Sequence, residues 1–112
     1  MKSLTLILVG LLSVSSQAEH CAQDFPNHFI MADGTLGLYP DGGAWWYPCS
    51  VSDTKNGVSP EACKSAFASY LSAKAQNKPV HFSFNGSCSE IGSGTSVNKG
   101  FSWFGVYWND NN

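Results

Sequence analysis

Residues 59–84 read SPEACKSAFASYLSAKAQNKPVHFSF, an amphipathic helix followed at once by a strand. Ser59 is a helix cap: its hydroxyl can accept from backbone N–H groups that have no partner within the helix. Pro60 suits the first helical position, and Glu61 places an acid where the helix dipole favours it. Cys63, Ala66, Phe67, Tyr70, Leu71 and Ala73 then recur at helical spacing. Ser65, Ser69, Ser72 and Gln76 share the opposite stripe, Lys74 and Lys78 sit near the C-terminal end, and Pro79 marks the stop. The spacing predicts a helix from Pro60 to about Gln76.

Val80, Phe82 and Phe84 alternate with His81 and Ser83, the period of a strand buried on one face. Asn85-Gly86 is a two-residue hairpin signal, since both residues tolerate positive φ. A helix of roughly 16 residues rises about 24 Å, and the chain from Pro79 to Cys88 spans a comparable length at about 3.3 Å per residue. Cys88 is thereby expected beside Cys63 at the helix start, which leaves Cys21 for Cys49. Four cysteines allow three pairings, and this is the one the distances favour.

The first 18 residues read as a secretory signal rather than as part of the fold. Lys2 opens it, Leu4 to Leu12 is a short apolar run, and Ser16-Gln17-Ala18 is a small-x-small cleavage site. The run is too short to span a bilayer. Of 112 residues, 112 − 18 = 94 remain from Glu19 onward, the size of one domain. So small a domain buries a modest share of its surface, and two disulfides in an oxidising compartment are a natural supplement. No C-x2-C unit occurs among the cysteines, so neither a zinc site nor any other metal or cofactor is expected. The chain after the signal holds five lysines, no arginine and eight acids, a formal charge of 5 − 8 = −3. Arginine is the preferred residue for phosphate forks and guanine edges, so its absence argues against nucleic acid. No basic amphipathic helix suggests binding to a lipid surface.

Taken in order, residues 19–26 read as an irregular entry held by Cys21, and His28 to Met31 as a first strand. Asp33-Gly34 is a turn, Thr35 to Tyr39 a second strand, and Pro40-Asp41-Gly42-Gly43 a further turn. Ala44 to Val51, with Trp45, Trp46 and Tyr47, reads as a third strand whose Pro48 implies an edge or a bulge. Ser52 to Val58 is a polar loop. Beyond the helix and its strand, Ser87 to Ile91 reads as a strand, Gly92 to Gly100 as loop and Phe101 to Trp108 as a closing strand. Strict alternation would place Phe101, Trp103 and Tyr107 on one face and Phe104, Val106 and Trp108 on the other. The expected fold is α+β: a small antiparallel sheet or OB-like, partly open barrel carrying one amphipathic helix and stapled by disulfides.

Catalytic signals are sparse. His20, His28 and His81 fall in separate segments, and neither G-x-S-x-G nor H-E-x-x-H occurs. Asp24, Asp33 and Asp41 sit in turns, where aspartate has a local role. Gly92-Ser93-Gly94 lacks the lysine a phosphate loop requires, and the Asn85-Gly86-Ser87 sequon is explained by its turn. A non-catalytic protein is expected. The aromatic excess is more telling: all fifteen Phe, Tyr and Trp residues lie after the signal. Some of these rings fill the core, and an exposed tryptophan could stack on a sugar or on a protein partner. Trp45 or Trp46, with Asp41 to bond hydroxyls, are the candidate ligand residues.

Cys49-Ser50-Val51-Ser52, then Ser59-Pro60-Glu61-Ala62-Cys63-Lys64, and the exit Lys78-Pro79-Val80-His81-Phe82 resemble the sugar-binding B subunits of AB5 toxins of the subtilase-cytotoxin and pertussis-like type. The resemblance covers Cys49 to Phe84. It implies an OB-like barrel with one helix, a homopentamer binding cell-surface glycans, and delivery of a separate catalytic chain. In such a ring the serine stripe of the helix could line a central channel. The Ser-Asp sugar-contact motif of those subunits is not visible around Asp24, so no glycan-contact residue is carried over. The leading expectation is a secreted or periplasmic binding module for a cell-surface glycan. The alternative is a secreted interaction or inhibitor protein that offers its aromatic surface to another protein.

Overall fold

The computed structural model describes residues 19–106. The expected signal segment, Tyr107, Trp108 and the polar tail lie outside the described residues. Strands β1 (Glu19–Gln23), β2 (Asn27–Ile30) and β3 (Leu36–Tyr39) precede helix α1 (Pro60–Ala75); strand β4 (Val80–Phe84), a 3₁₀ turn (Cys88–Glu90) and strand β5 (Phe101–Gly105) follow it. The fold is α+β, with one three-stranded antiparallel sheet in the order β1-β4-β5 and a β2–β3 hairpin. The two sheets do not close into a barrel among the described residues.

Helix α1 forms where its sequence places it. The Ser59 hydroxyl accepts from the Ala62 N–H at 3.1 Å, and Pro60 opens the first turn. Asn77 ends it with φ of 59°, a left-handed conformation that asparagine tolerates, and the Lys78 N–H turns back to the Ala73 carbonyl. Cys63, Ala66, Tyr70 and Ala73 are buried. Leu71, part of the expected apolar stripe, is instead 43 % exposed.

In the three-stranded sheet β4 is central, and its alternation sorts the two faces. Val80, Phe82 and Phe84 are buried, while His81 and Ser83 lie on the outer face. Residues 19–23, expected to be irregular, form an edge strand instead, with Cys21 opposite Phe82. This strand decides the disulfides. Because β1 lies along β4, Cys88 emerges beside Cys21 and bonds to it. The loop before α1 turns the chain back on itself, and Cys49 bonds to Cys63. The expected Cys63–Cys88 and Cys21–Cys49 pairs are thus replaced by Cys21–Cys88 and Cys49–Cys63.

Two further expectations change for local reasons. Neither Asn85 nor Gly86 adopts positive φ, so no two-residue hairpin forms there. Gly86 is needed for close approach: a Cβ there would fall 2.8 Å from the Phe84 ring and 2.9 Å from the Glu90 carboxylate. Residues 88–90 form a 3₁₀ turn rather than a strand, with the Glu90 carboxylate accepting from the Ser87 N–H at 3.0 Å and pairing with Lys99 at 2.9 Å. These contacts hold the Glu90 carboxyl below its ordinary value, the Ser87 bond contributing most.

Strand β5 returns to β4 with a bulge, since Ser83 faces Trp103 while Phe84 faces Phe101. The extra residue, Ser102, breaks strict alternation, so Phe101 and Phe104 both turn to the core with ring centroids 5.2 Å apart. Trp103 is left 40 % exposed on the outer face.

The hairpin carries the rest of the core. Its turn behaves as its sequence implies: Gly34 has φ of 95°, and the Asp33 carboxylate accepts from the Thr35 N–H at 3.0 Å, which lowers the Asp33 pKa. Residues 44–51 run antiparallel to β3 without forming a regular strand. Leu38 and Trp46 exchange backbone bonds of 2.9 and 2.8 Å, and the Leu36 N–H donates to Cys49 at 2.9 Å. Two steps along β3 thus face three on its partner, an irregularity placed at Pro48, which has no N–H to give. On its other side the segment bonds to Val97 through Trp45 and Tyr47. Trp46 sits at the centre of the core, its ring 4.8 Å from Phe82, 5.6 Å from Phe25 and 5.6 Å from Phe84.

Candidate binding surface

Adjacent residues on an extended segment point to opposite faces, and residues 45–47 show the consequence. Trp46 points inward, is fully buried, and donates from Nε1 to the Lys99 carbonyl at 2.8 Å. It is a core residue and is withdrawn from the ligand-contacting set. Trp45 and Tyr47 point outward and are half-buried.

Trp45 does not stand alone. Its ring lies 4.3 Å from Phe29 and 5.0 Å from Tyr39, and Phe29 lies 6.2 Å from Tyr47. These four rings form a strip along the outer face of the hairpin, fixed by register. Phe29 is paired with Gly37 across the hairpin, and a Cβ at Gly37 would fall 2.6 Å from the Phe29 ring. A glycine is therefore required for the Phe29 ring to lie over β3 and reach Trp45. At one end of the hairpin, Ile30 and Met31 are 41 % and 45 % exposed.

Asp41 is exposed in the turn after β3, but it faces a different feature. With Asp24, Pro26, Lys74 and Asn77 it lines a groove of about 230 Å³ at the C-terminal end of α1. The Lys74 ammonium donates to the Pro26 carbonyl at 2.9 Å and ties the helix end to the segment between β1 and β2. Trp45 does not line this groove, so the structure does not bring Trp45 and Asp41 into one concave site. The groove is polar, whereas the strip is made of ring faces.

Beside the groove, the Tyr70 hydroxyl donates to the Phe25 carbonyl at 2.7 Å and lies 3.3 Å from His28 Nδ1. Burial, and secondarily the charge of Asp24, raises the Tyr70 pKa above its ordinary value. His28 also packs its ring 5.3 Å from Phe67, so this histidine joins the hairpin to the helix. Among the described residues, no three His, Cys, Asp or Glu side chains come together as a metal site.

Phe29 and Tyr39 belong to the strip without having been singled out from the sequence. The available signal was the pairing of an aromatic residue with Gly37, which becomes visible only once the hairpin register is known. No known protein family, curated protein or solved structure matches the chain.

Proposed function

We propose that this protein is a secreted, non-catalytic binding module that takes a carbohydrate on the strip of Phe29, Tyr39, Trp45 and Tyr47. The observation that carries this reading is the half-buried Trp45 ring, held in contact with the rings of Phe29 and Tyr39. A ring held in this way loses little conformational freedom on binding and offers an apolar face with an N–H at its edge, the combination a pyranose ring uses. The two disulfides fit the oxidising compartment in which cell-surface glycans are met. Asp41 would contact only a ligand long enough to extend from the strip toward the groove. The OB-like architecture, the pentamer and the catalytic partner chain implied by the toxin resemblance belong to the same reading. In that assembly the exposed Ser65 and Ser72 would line the channel.

The test is a glycan array followed by calorimetry on the oxidised protein. Trp45→Ala is expected to remove binding while leaving the far-ultraviolet circular dichroism unchanged, and Asp41→Ala to weaken only extended ligands. Binding of a glycan that is indifferent to Trp45→Ala refutes the assignment. A second reading, a site for another protein, is favoured by Ile30 and Met31, whose apolar exposure at the end of the hairpin suits a protein partner better than a sugar. Ile30→Asp would then abolish capture of that partner and leave any glycan binding intact.

A further inference from the structure

The outer face of the three-stranded sheet holds a second constellation, separate from the aromatic strip. His20 on β1 lies opposite Ser83, and His81 on β4 lies opposite Ala22, so the two histidines are diagonal neighbours. Their rings reach toward one another, with His20 Nε2 and His81 Nδ1 3.1 Å apart. Trp103 of β5 stands against the same pair, its ring 5.2 Å from His20. Three features hold His20 in place: its strand pairing, the Cys21–Cys88 bond next to it, and the Glu19 carboxylate, which accepts from the Cys88 N–H at 2.8 Å.

We infer that His20 and His81 form a two-imidazole site for a late first-row divalent cation, of the class of Cu²⁺, Ni²⁺ and Zn²⁺. The spacing is the argument. With metal–nitrogen bonds of about 2.0–2.1 Å, two nitrogens 3.1 Å apart subtend an angle of about 100° at the metal. That lies between the square-planar and tetrahedral ideals, so the backbone already sets the bite. Imidazole is the ligand type these cations prefer, and either ring nitrogen can serve. The ion replaces the hydrogen shared between the rings and sits off the line joining them. Small ring rotations aim both lone pairs at it, and the displaced proton moves to the other nitrogen of the donor ring, so two neutral imidazoles remain neutral. Water or a ligand donor completes the coordination shell.

The full oxidised chain is titrated with Cu²⁺, followed by quenching of tryptophan fluorescence, and with Zn²⁺, followed by calorimetry. One ion per chain is expected. Two linked donors act as a chelate, so His81→Ala should weaken binding by about 100-fold, and His81→Gln by a similar factor. His28→Ala should change nothing. Trp103→Phe should remove most of the Cu²⁺ quenching while leaving the Zn²⁺ affinity unaltered. Absence of saturable binding overturns the inference. So does one-to-one binding that survives both His81 variants, because the ion is then held by His20 with other donors. Neither result depends on the glycan reading, which concerns the other sheet.

Discussion

Trp46→Phe tests the arrangement of the core against the arrangement of the surface. The indole of Trp46 is fully buried and its Nε1 is bonded to the Lys99 carbonyl at 2.8 Å. Phenylalanine keeps the stacking on Phe82 but leaves that carbonyl without its partner, a loss of about 1–3 kcal/mol. It also leaves a void of roughly 40 Å³, which at ~24 cal/mol per Å³ contributes about 1 kcal/mol more. The sum, about 2–4 kcal/mol, is a large part of the 5–15 kcal/mol that holds a typical domain folded. With a urea slope near 1 kcal/mol per molar, the unfolding midpoint should fall by about 2 M or more. Trp45→Phe, one residue away, keeps an aromatic ring against Phe29 and Tyr39 and should cost under about 1 kcal/mol. Circular dichroism is the proper probe, since both variants change the fluorescence itself. A Trp46→Phe loss below about 0.5 kcal/mol, or a larger loss for Trp45→Phe, would refute the inward and outward assignments and with them the aromatic strip.

Two more outcomes follow from the bonding already described. Mild reduction followed by alkylation and peptide mapping should label Cys21 and Cys88 first, because Cys88 is only partly buried while Cys49 and Cys63 are fully buried; opening that 67-residue separation should cost about 4 kcal/mol. Stability should decline on the alkaline side: Tyr70 is raised in the fold, so its contribution is complete below the unfolded tyrosine value of about 10 and lost as pH rises through the folded value, and Tyr70→Phe should flatten that slope in urea midpoints measured against pH.

Helix α1 and strand β4 were legible because their signals are local. A cap, a proline, a 3.6-residue period and a 2-residue period all lie within one short stretch, and packing reinforces each of them. The disulfides were not legible, for a physical reason rather than a statistical one. The helix and return strand do bring Cys88 back, but which cysteine meets it depends on what lies alongside β4. That neighbour is Glu19–Gln23, whose sequence EHCAQ carries too few apolar or β-branched residues to announce an edge strand. The Asn85-Gly86 signal failed in a similar way. A two-residue turn would have paired β4 with the residues just after it, but β4 pairs instead with β5, where Phe104 lies opposite Phe82 and Phe101 opposite Phe84, with the Phe82 and Phe104 rings 5.6 Å apart. That partner lies fifteen or more residues further along the chain, beyond the reach of a local turn signal, and the glycine serves close approach instead.

The same reasoning explains how one tryptophan of the candidate site was legible and the other was not. Parity within residues 45–47 was plain in the sequence, and it required Trp45 and Trp46 to face opposite ways. Which way each faced depended on the pairing of Trp46 with Leu38, whose own parity is fixed by Phe29 lying over Gly37. Shifting that register by one residue would turn Leu36 and Leu38 to solvent and bring Trp45 inside. It would also place the Phe29 ring against a residue bearing a Cβ. Gly37 therefore does more than accommodate one ring: by making a single register sterically favourable, it determines which tryptophan becomes core and which is left for a ligand.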